Sequence, residues 1–122
     1  MLGKCDPYCR LQFDNQIFES EVKKKTYTPT WNQAFKFTYT LRPSAKAAPE
    51  LDVRLFDFDS ATAADEIGGA SVSGQSMLRF FLAPNGWASE GEVFVFKDGS
   101  PVMGKDDEQT RQVGVILSVL AL

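Results

Sequence analysis

The sequence predicts an all-β fold, an antiparallel Greek-key β-sandwich of about seven to eight strands, formed by residues 1–122 as a single domain. Three observations carry this expectation. The apolar residues recur with period two, not 3.6. Turn formers punctuate the short apolar runs, as at Asp14-Asn15, Thr28-Pro29, Arg42-Pro43-Ser44 and Asp98-Gly99-Ser100-Pro101. With 43% hydrophobic and 24% charged residues, the chain has the make-up of a folded core, not of a disordered tail.

The elements follow in order. Pro7, Cys9, Leu11 and Phe13 alternate with Tyr8, Arg10 and Gln12 and place a strand at 8–14. A second strand is read at 17–26. In a third, at 34–41, Phe35, Phe37, Tyr39 and Leu41 alternate with Lys36, Thr38 and Thr40. The Ala/Pro-rich stretch 43–49 reads as a loop. Leu51, Val53 and Leu55 alternate with Asp52, Arg54 and Phe56 in a strand at 51–57. Further strands are expected at 67–73, 92–97 and 113–120. Between them, Met77 to Leu82 reads as a short helical turn with Ser76 as its N-cap. Trp31 and Asn32 lie in a structural turn, and Trp87 is read as packed on the sandwich. No repeat or linker divides the chain.

Composition excludes several classes. A net charge of −3 gives no general attraction to nucleic acid. No apolar run is long enough to span a bilayer as a helix. The first residues, Met1 to Pro7, lack the apolar core of a signal peptide. Cys5 and Cys9 would sit about 13 Å apart on one extended strand, too far for a disulfide. Reduced thiols and no export signal point to the cytoplasm, and Cys9 reads as a small core residue. The sequence has no histidine to act as a base near neutral pH. It also shows no nucleophile elbow, phosphate loop or dinucleotide fingerprint. An enzyme is therefore not expected.

One segment stands out chemically. Between Leu55 and Leu78 there are four acids, Asp57, Asp59, Asp65 and Glu66, and no Lys or Arg. Uncompensated carboxylates at a strand end repel one another. A hard cation would offset that cost, because calcium takes six to eight oxygen ligands and favours carboxylates. An ordinary acidic surface turn is the other reading of the same residues.

Four pieces, in order, resemble the C2 domain, a calcium-dependent phospholipid-binding β-sandwich. Cys5-Asp6-Pro7-Tyr8-Cys9 is similar to the family's Ser-Asp-Pro-Tyr-Val. Lys25 to Phe37, KTYTPTWNQAFKF, resembles its Lys-Thr-x-x-Pro-x-Trp-Asn-Glu-x-Phe-x-Phe. Leu51 to Asp59 resembles Leu-x-Val-x-Val-x-Asp-x-Asp, and Asp65-Glu66-Ile67-Gly68 resembles Asp-x-Ile-Gly. The later segments Phe94 to Gly99 and Val113 to Ser118 match the closing strands more loosely. The resemblance implies a Ca²⁺ site formed by two loops at one end of the sandwich. Asp6 would come from the first loop. Asp57, Asp59, Asp65, the Phe58 carbonyl and Thr62 would come from the later one. It further implies a module peripherally associated with an anionic phospholipid membrane, in which lipid phosphates complete the metal's coordination. The alternative is a calcium-independent protein-interaction scaffold in trafficking or signalling.

The chain also departs from the family pattern. A further aspartate, six positions before Asp6, and the strand leading to it would fall before Met1. Val113 to Leu122 is apolar on both faces. It is read as a buried last strand, with two alternatives: filling the vacant slot, or exchanging strands in a homodimer. The loop tip Ser60 to Ala64 offers little area for membrane insertion. Lys23, Lys24 and Lys25 are a weak lipid-binding candidate, because Glu19 and Glu21 share their strand face. Phe56 and Phe58 flank Asp57 and either cover the site's edge or touch lipid.

Overall fold

In a computed structural model, the described residues are 6–24, 33–58, 65–82, 87–106 and 109–120. They form an antiparallel β structure with one short helix. Strand β1 runs Pro7–Phe13 and β2 Gln16–Glu19. Next come β3 at Leu51–Asp57, β4 at Asp65–Val72 and helix α1 at Gly74–Phe81. Six further strands follow: β5 (Trp87–Phe94), β6 (Phe96–Lys97), β7 (Ser100–Pro101), β8 (Met103–Asp106), β9 (Gln109–Gln112) and β10 (Gly114–Leu120). The larger sheet has the order β2-β1-β3-β4-β6-β7, and β10-β5 and β8-β9 form two antiparallel pairs.

The period-two pattern decides which face of the large sheet is buried. Pro7, Cys9, Leu11 and Phe13 of β1 face inward, as do Leu51, Val53 and Leu55 of β3. Val72, Met77, Phe80 and Val95 complete the core, and Phe13, Val53 and Val95 have no measurable exposure. Phe13 is its aromatic centre: its ring lies 5.5 Å from Phe37, 5.6 Å from Tyr39 and 5.9 Å from Phe81. Such tilted and edge-on ring contacts add to the area that each ring buries. Cys9 is buried and free, and burial pushes its thiol up to about 12.

The hairpin turns form where the sequence marks them. Phe13 pairs with Gln16 across Asp14-Asn15, with Asp14 at φ 56°. Lys97 pairs with Ser100 across Asp98-Gly99, with φ 51° and 80°. Two-residue hairpins favour Asn, Asp and Gly because their twist requires this left-handed backbone. Later in the chain, three valines between strands bond in a ring: Val95 N–H to Val113 C=O, Val113 N–H to Val102 C=O, and Val102 N–H to Val95 C=O, at 2.8–3.0 Å. This ring joins the closing hairpins to the core.

Several details differ from the sequence-based expectation. Among the described residues the strands number ten, because the run at 92–97 breaks at Val95, Phe96–Lys97 pairs with Ser100–Pro101, and Met103–Asp106 pairs with Gln109–Gln112. Of the strand expected at 17–26, β2 covers only Gln16–Glu19 among the described residues, and residues 25 and 26 lie outside them. Ser20 N–H still donates to Cys9 C=O and Lys23 N–H to Pro7 C=O, so the chain follows β1 irregularly. The helix begins earlier. Ser73, not Ser76, is the N-cap, its hydroxyl accepting from Ser76 N–H at 3.2 Å. Residues 33–41 show the expected alternation of burial, and Phe35, Phe37 and Tyr39 pack on the core, yet among the described residues no backbone ladder includes them. Gln16 substitutes for a ladder there. Its side-chain amide donates to Thr38 C=O at 2.7 Å and accepts from Thr38 N–H at 2.8 Å. The last strand, β10, pairs with β5. Trp31 and Asn32 lie outside the described residues.

Two substitutions separate the core from this clamp. Phe13→Ala is expected to cost about 3–5 kcal/mol in a urea unfolding titration. Gln16→Ala, which removes an exposed two-bond contact, is expected to cost only about 0.5–1.5 kcal/mol.

Candidate functional site

The ladder registers bring three carboxylate-bearing positions to one end of the large sheet. Pro7 pairs with Asp57, so Asp6, the residue before it, stands beside that strand end. Asp57 in turn pairs with Asp65. The second pairing depends on a bulge. Leu55 faces Gly68 and Phe56 faces Glu66, which leaves Ile67 as the extra residue in β4. Bulges bend a strand and re-aim its side chains, and they are frequent beside functional sites. Gly68 permits the close packing here: a Cβ on it would meet Val95 Cγ1 at 2.7 Å and the Phe96 carbonyl at 2.8 Å.

Asp57 ties the end together. Its Oδ1 accepts from the Asp6 backbone N–H at 3.0 Å. The Phe58 N–H returns a bond to the Asp6 carbonyl at 2.9 Å. One carboxylate oxygen of Asp57 is thus committed to holding the start of β1. Asp6 and Asp57 are half-buried and Asp65 is exposed.

Of the remaining candidates, Phe58 is 38% exposed. Lys24 Nζ lies 5.1 Å from its ring centroid, within cation–π range. Lys23 reaches Glu21 at 2.6 Å. Phe56 is half-buried: it stacks on Tyr8 at 5.3 Å, and the Arg10 guanidinium sits 4.7 Å over its ring. Asp59, Thr62 and Lys25 lie outside the described residues. Among the described residues, no three acidic or thiol side chains gather closely enough to hold a metal ion.

Glu66 does not belong with the strand-end acids. Its carboxylate takes a 2.8 Å bond from Arg54, which also bonds Asp52 at 3.1 Å. Hydrogen bonds to Glu66 and Asp52 hold the Arg54 guanidinium above its usual range. The segment that lacks local base is therefore partly neutralised from a neighbouring strand. Sequence reading missed this contact, the Asp57 clamp and the Lys24–Phe58 pair. The Gly68-Gly69 doublet in β4 is the one signal that hints at the bulge.

The fold is an antiparallel β-sandwich with Asp6, Asp57 and Asp65 at the ends of adjacent strands, and the comparisons name its class. The family model of the C2 domain matches residues 1–88, and the chain belongs to the C2 domain family. It is 35% identical over 79 residues to 16 kDa phloem protein 1 of Arabidopsis thaliana, covering 63% of this chain and 50% of that protein. It is 39% identical over 57 residues to mouse extended synaptotagmin-2, covering 47% of this chain and 6% of that protein. The chain thus spans half or less of these curated relatives. Among solved structures, the C2 domain-containing protein from a putative elicitor-responsive gene superposes with a TM-score of 0.69 at 24% identity, over 99% of this chain and 75% of that one. The calcium-bound pair of C2 domains of extended synaptotagmin 2 superposes with a TM-score of 0.64 at 21% identity, over 99% and 36%. At these identities the superpositions establish the fold alone.

Two measurements test the geometry without any metal. Asp57→Ala leaves the Asp6 N–H without its partner and is expected to lower stability by about 1–2 kcal/mol. Asp57→Asn keeps an acceptor and is expected to stay within about 0.5 kcal/mol of the parent. Denaturant titration of both variants decides this. The Cys9 thiol, raised from 9.0 to about 12 by burial, is expected to react with a maleimide only after unfolding. The same shift stabilises the fold below about pH 9, and that contribution is lost progressively as pH rises toward 12. A Cys9→Ala variant should therefore show a shallower decline of melting temperature across that interval.

Proposed function

We propose that this chain is a calcium-dependent phospholipid-binding module that associates peripherally with anionic membrane surfaces on the cytoplasmic side. The observation that carries the reading is the register Pro7–Asp57–Asp65, which aligns Asp6, Asp57 and Asp65 at the ends of three adjacent strands. The donor chemistry fits calcium: these side chains offer only oxygen, and neither histidine nor thiolate stands among them. Asp57 has one oxygen engaged by the Asp6 N–H, and among the described residues its other oxygen has no hydrogen-bond partner. Asp59, Thr62 and the Phe58 carbonyl would complete the set from the loop that joins β3 to β4. When bound, calcium supplies positive charge and open coordination positions that lipid phosphate oxygens can occupy.

The protein's own residues set the switch. Without a cation, the strand-end carboxylates repel an acidic surface. Lys24, held over Phe58 at this end, offers one positive charge for an anionic headgroup. Phe58, partly exposed beside it, offers an aromatic ring suited to the membrane interface. Neutralising the carboxylates removes the repulsion and leaves these two contacts. A relative solved in a calcium-bound state supports the same reading.

The test is a calorimetric calcium titration with a thermal melt beside it, followed by co-sedimentation with phosphatidylserine vesicles in calcium and in chelator. Saturable heat is expected, with stabilisation of about 2.7 kcal/mol at a hundredfold excess over the dissociation constant. Vesicle binding should require calcium. The double variant Asp57→Asn, Asp59→Asn should lose both responses and keep its fold. No heat and no thermal shift at millimolar calcium would sink the proposal and leave a calcium-independent protein-interaction scaffold of the same fold.

A further inference from the structure

We propose that Ser44 is a phosphorylation site for a serine kinase whose substrate cleft is acidic. Ser44 lies in the loop that leads into β3 at the end of the sheet away from Asp57, where Leu51 pairs with Phe13 and Val72. The Ala45 N–H donates to the Arg42 C=O at 3.0 Å, which closes a β-turn with Pro43 and Ser44 at its two central positions. Proline suits the first of these, because its ring fixes φ near the value that the turn requires. Arg42, Pro43, Ser44 and Lys46 are all exposed. The turn thus holds the Ser44 hydroxyl at the surface, outside the sheets, where the cleft of a second protein can close around the chain.

Charge selects the class of kinase. Arg42 stands two residues before Ser44 and Lys46 two residues after it, and residues 42–49 contain no acid. Asp14, which lines one cavity with Arg42 and Ala45, is the carboxylate of the neighbouring hairpin on this side. In a chain of net charge −3, this short stretch presents two positive charges to a partner. Carboxylates in a kinase cleft would pair with both, and charge patterns of this kind are one means by which kinases choose substrates. Two other serines with a cation close by have their hydroxyls engaged. That of Ser20 is buried, accepts from the Cys9 N–H at 2.8 Å and donates to the Glu21 C=O at 3.0 Å. That of Ser76 accepts from Arg79 at 3.0 Å and from Ser73 at 3.2 Å.

With ATP as the donor, the Ser44 Oγ attacks the γ-phosphorus. An Oγ–P bond forms, the bond from that phosphorus to the β,γ-bridging oxygen breaks, ADP leaves, and the hydroxyl proton passes to the kinase's base. The new group carries about −1.5 to −2 charges at pH 7, between two cations that can pair with it. The fold tolerates the addition. Ser44 lies outside the buried core. The loop is anchored further on by Ala48, which is buried and donates its N–H to the Gly74 C=O at 3.0 Å.

The test incubates the whole folded chain with ATP and, in parallel, with two kinases: the catalytic domain of protein kinase C, which favours basic flanks, and casein kinase, which favours acidic ones. Mass spectrometry is expected to place a phosphoryl group on Ser44 with the first, at a rate about tenfold or more above that with the second. Ser44→Ala should remove that group and leave the circular dichroism spectrum unchanged. The double variant Arg42→Gln, Lys46→Gln keeps the hydroxyl and should lower kcat/KM about tenfold. Absence of phosphate on Ser44 overturns the proposal. So does equal modification of Ser44 by the two kinases, or a rate that the double variant leaves unchanged, because the flanking charges would then select nothing. Modification of Ser44 only in the unfolded chain would equally overturn it, since the folded turn would not then present the hydroxyl.

Discussion

The register of β3 between β1 and β4 is the constraint on which everything else rests. Side chains alternate across a strand, so a slip of one residue would turn Leu51, Val53 and Leu55 out of the core and bring Asp52 and Arg54 in. The same register sets Asp57 against Pro7 on one side and Asp65 on the other. Core burial and the assembly of the acidic end are thus one event. The apolar face supplies the free energy, since each large side chain removed from water contributes about 1.5–3 kcal/mol. The acids are carried into proximity by that burial, against their own repulsion.

How the sheet distributes charge follows from this. Arg10 and Arg54 are direct cross-strand partners on the outer face, an unfavourable pairing of like charges. Each is answered locally: Arg10 by Glu19 at 3.0 Å, and Arg54 by Asp52 and Glu66. These pairs are exposed and individually worth little. Their effect is on the shape of the field. The middle of the outer face becomes nearly neutral, while Asp57 and Asp65 stand at the strand ends. Lys23 is likewise drawn to Glu21, so Lys24 is the lysine of that pair left to face the acidic end.

Period-two patterning was legible wherever burial alone decides the outcome. Cys9, Leu11, Phe13, Leu51, Val53 and Leu55 are buried as their alternation requires, and both Asp-led turns fall where they are marked. What escaped reading depends on partners distant in sequence. Ser73 and Ser76 are equally good caps on paper, and the bond from Ala48 N–H to Gly74 C=O shows the first turn held by a loop that no local pattern reveals. Residues 33–41 read as a strand because side chains determine alternation, whereas a ladder also requires a neighbouring backbone. Of the candidate site, the placement of Asp6, Asp57 and Asp65 could be anticipated from their positions at strand ends. The Asp57 clamp on Asp6 could not, since a carboxylate that holds backbone and one that faces a ligand look identical in sequence.

The two layers of the molecule are consequently built by different means. Around β1, β3 and β4 every strand is held on both sides by backbone bonds, and cooperative units of this kind open only at a large fraction of the global stability. Residues 33–41 are held by aromatic packing on one face, by the Gln16 amide at Thr38, and by Gln33, whose side-chain oxygen accepts from the Glu21 N–H. The acids at the strand ends therefore sit on the layer whose strands are held by backbone bonds on both sides. Residues 33–41 and the strand ends that carry the acids belong to separate elements, joined through the Phe13 and Phe18 ring contacts and through the Gln16 and Gln33 side-chain bonds.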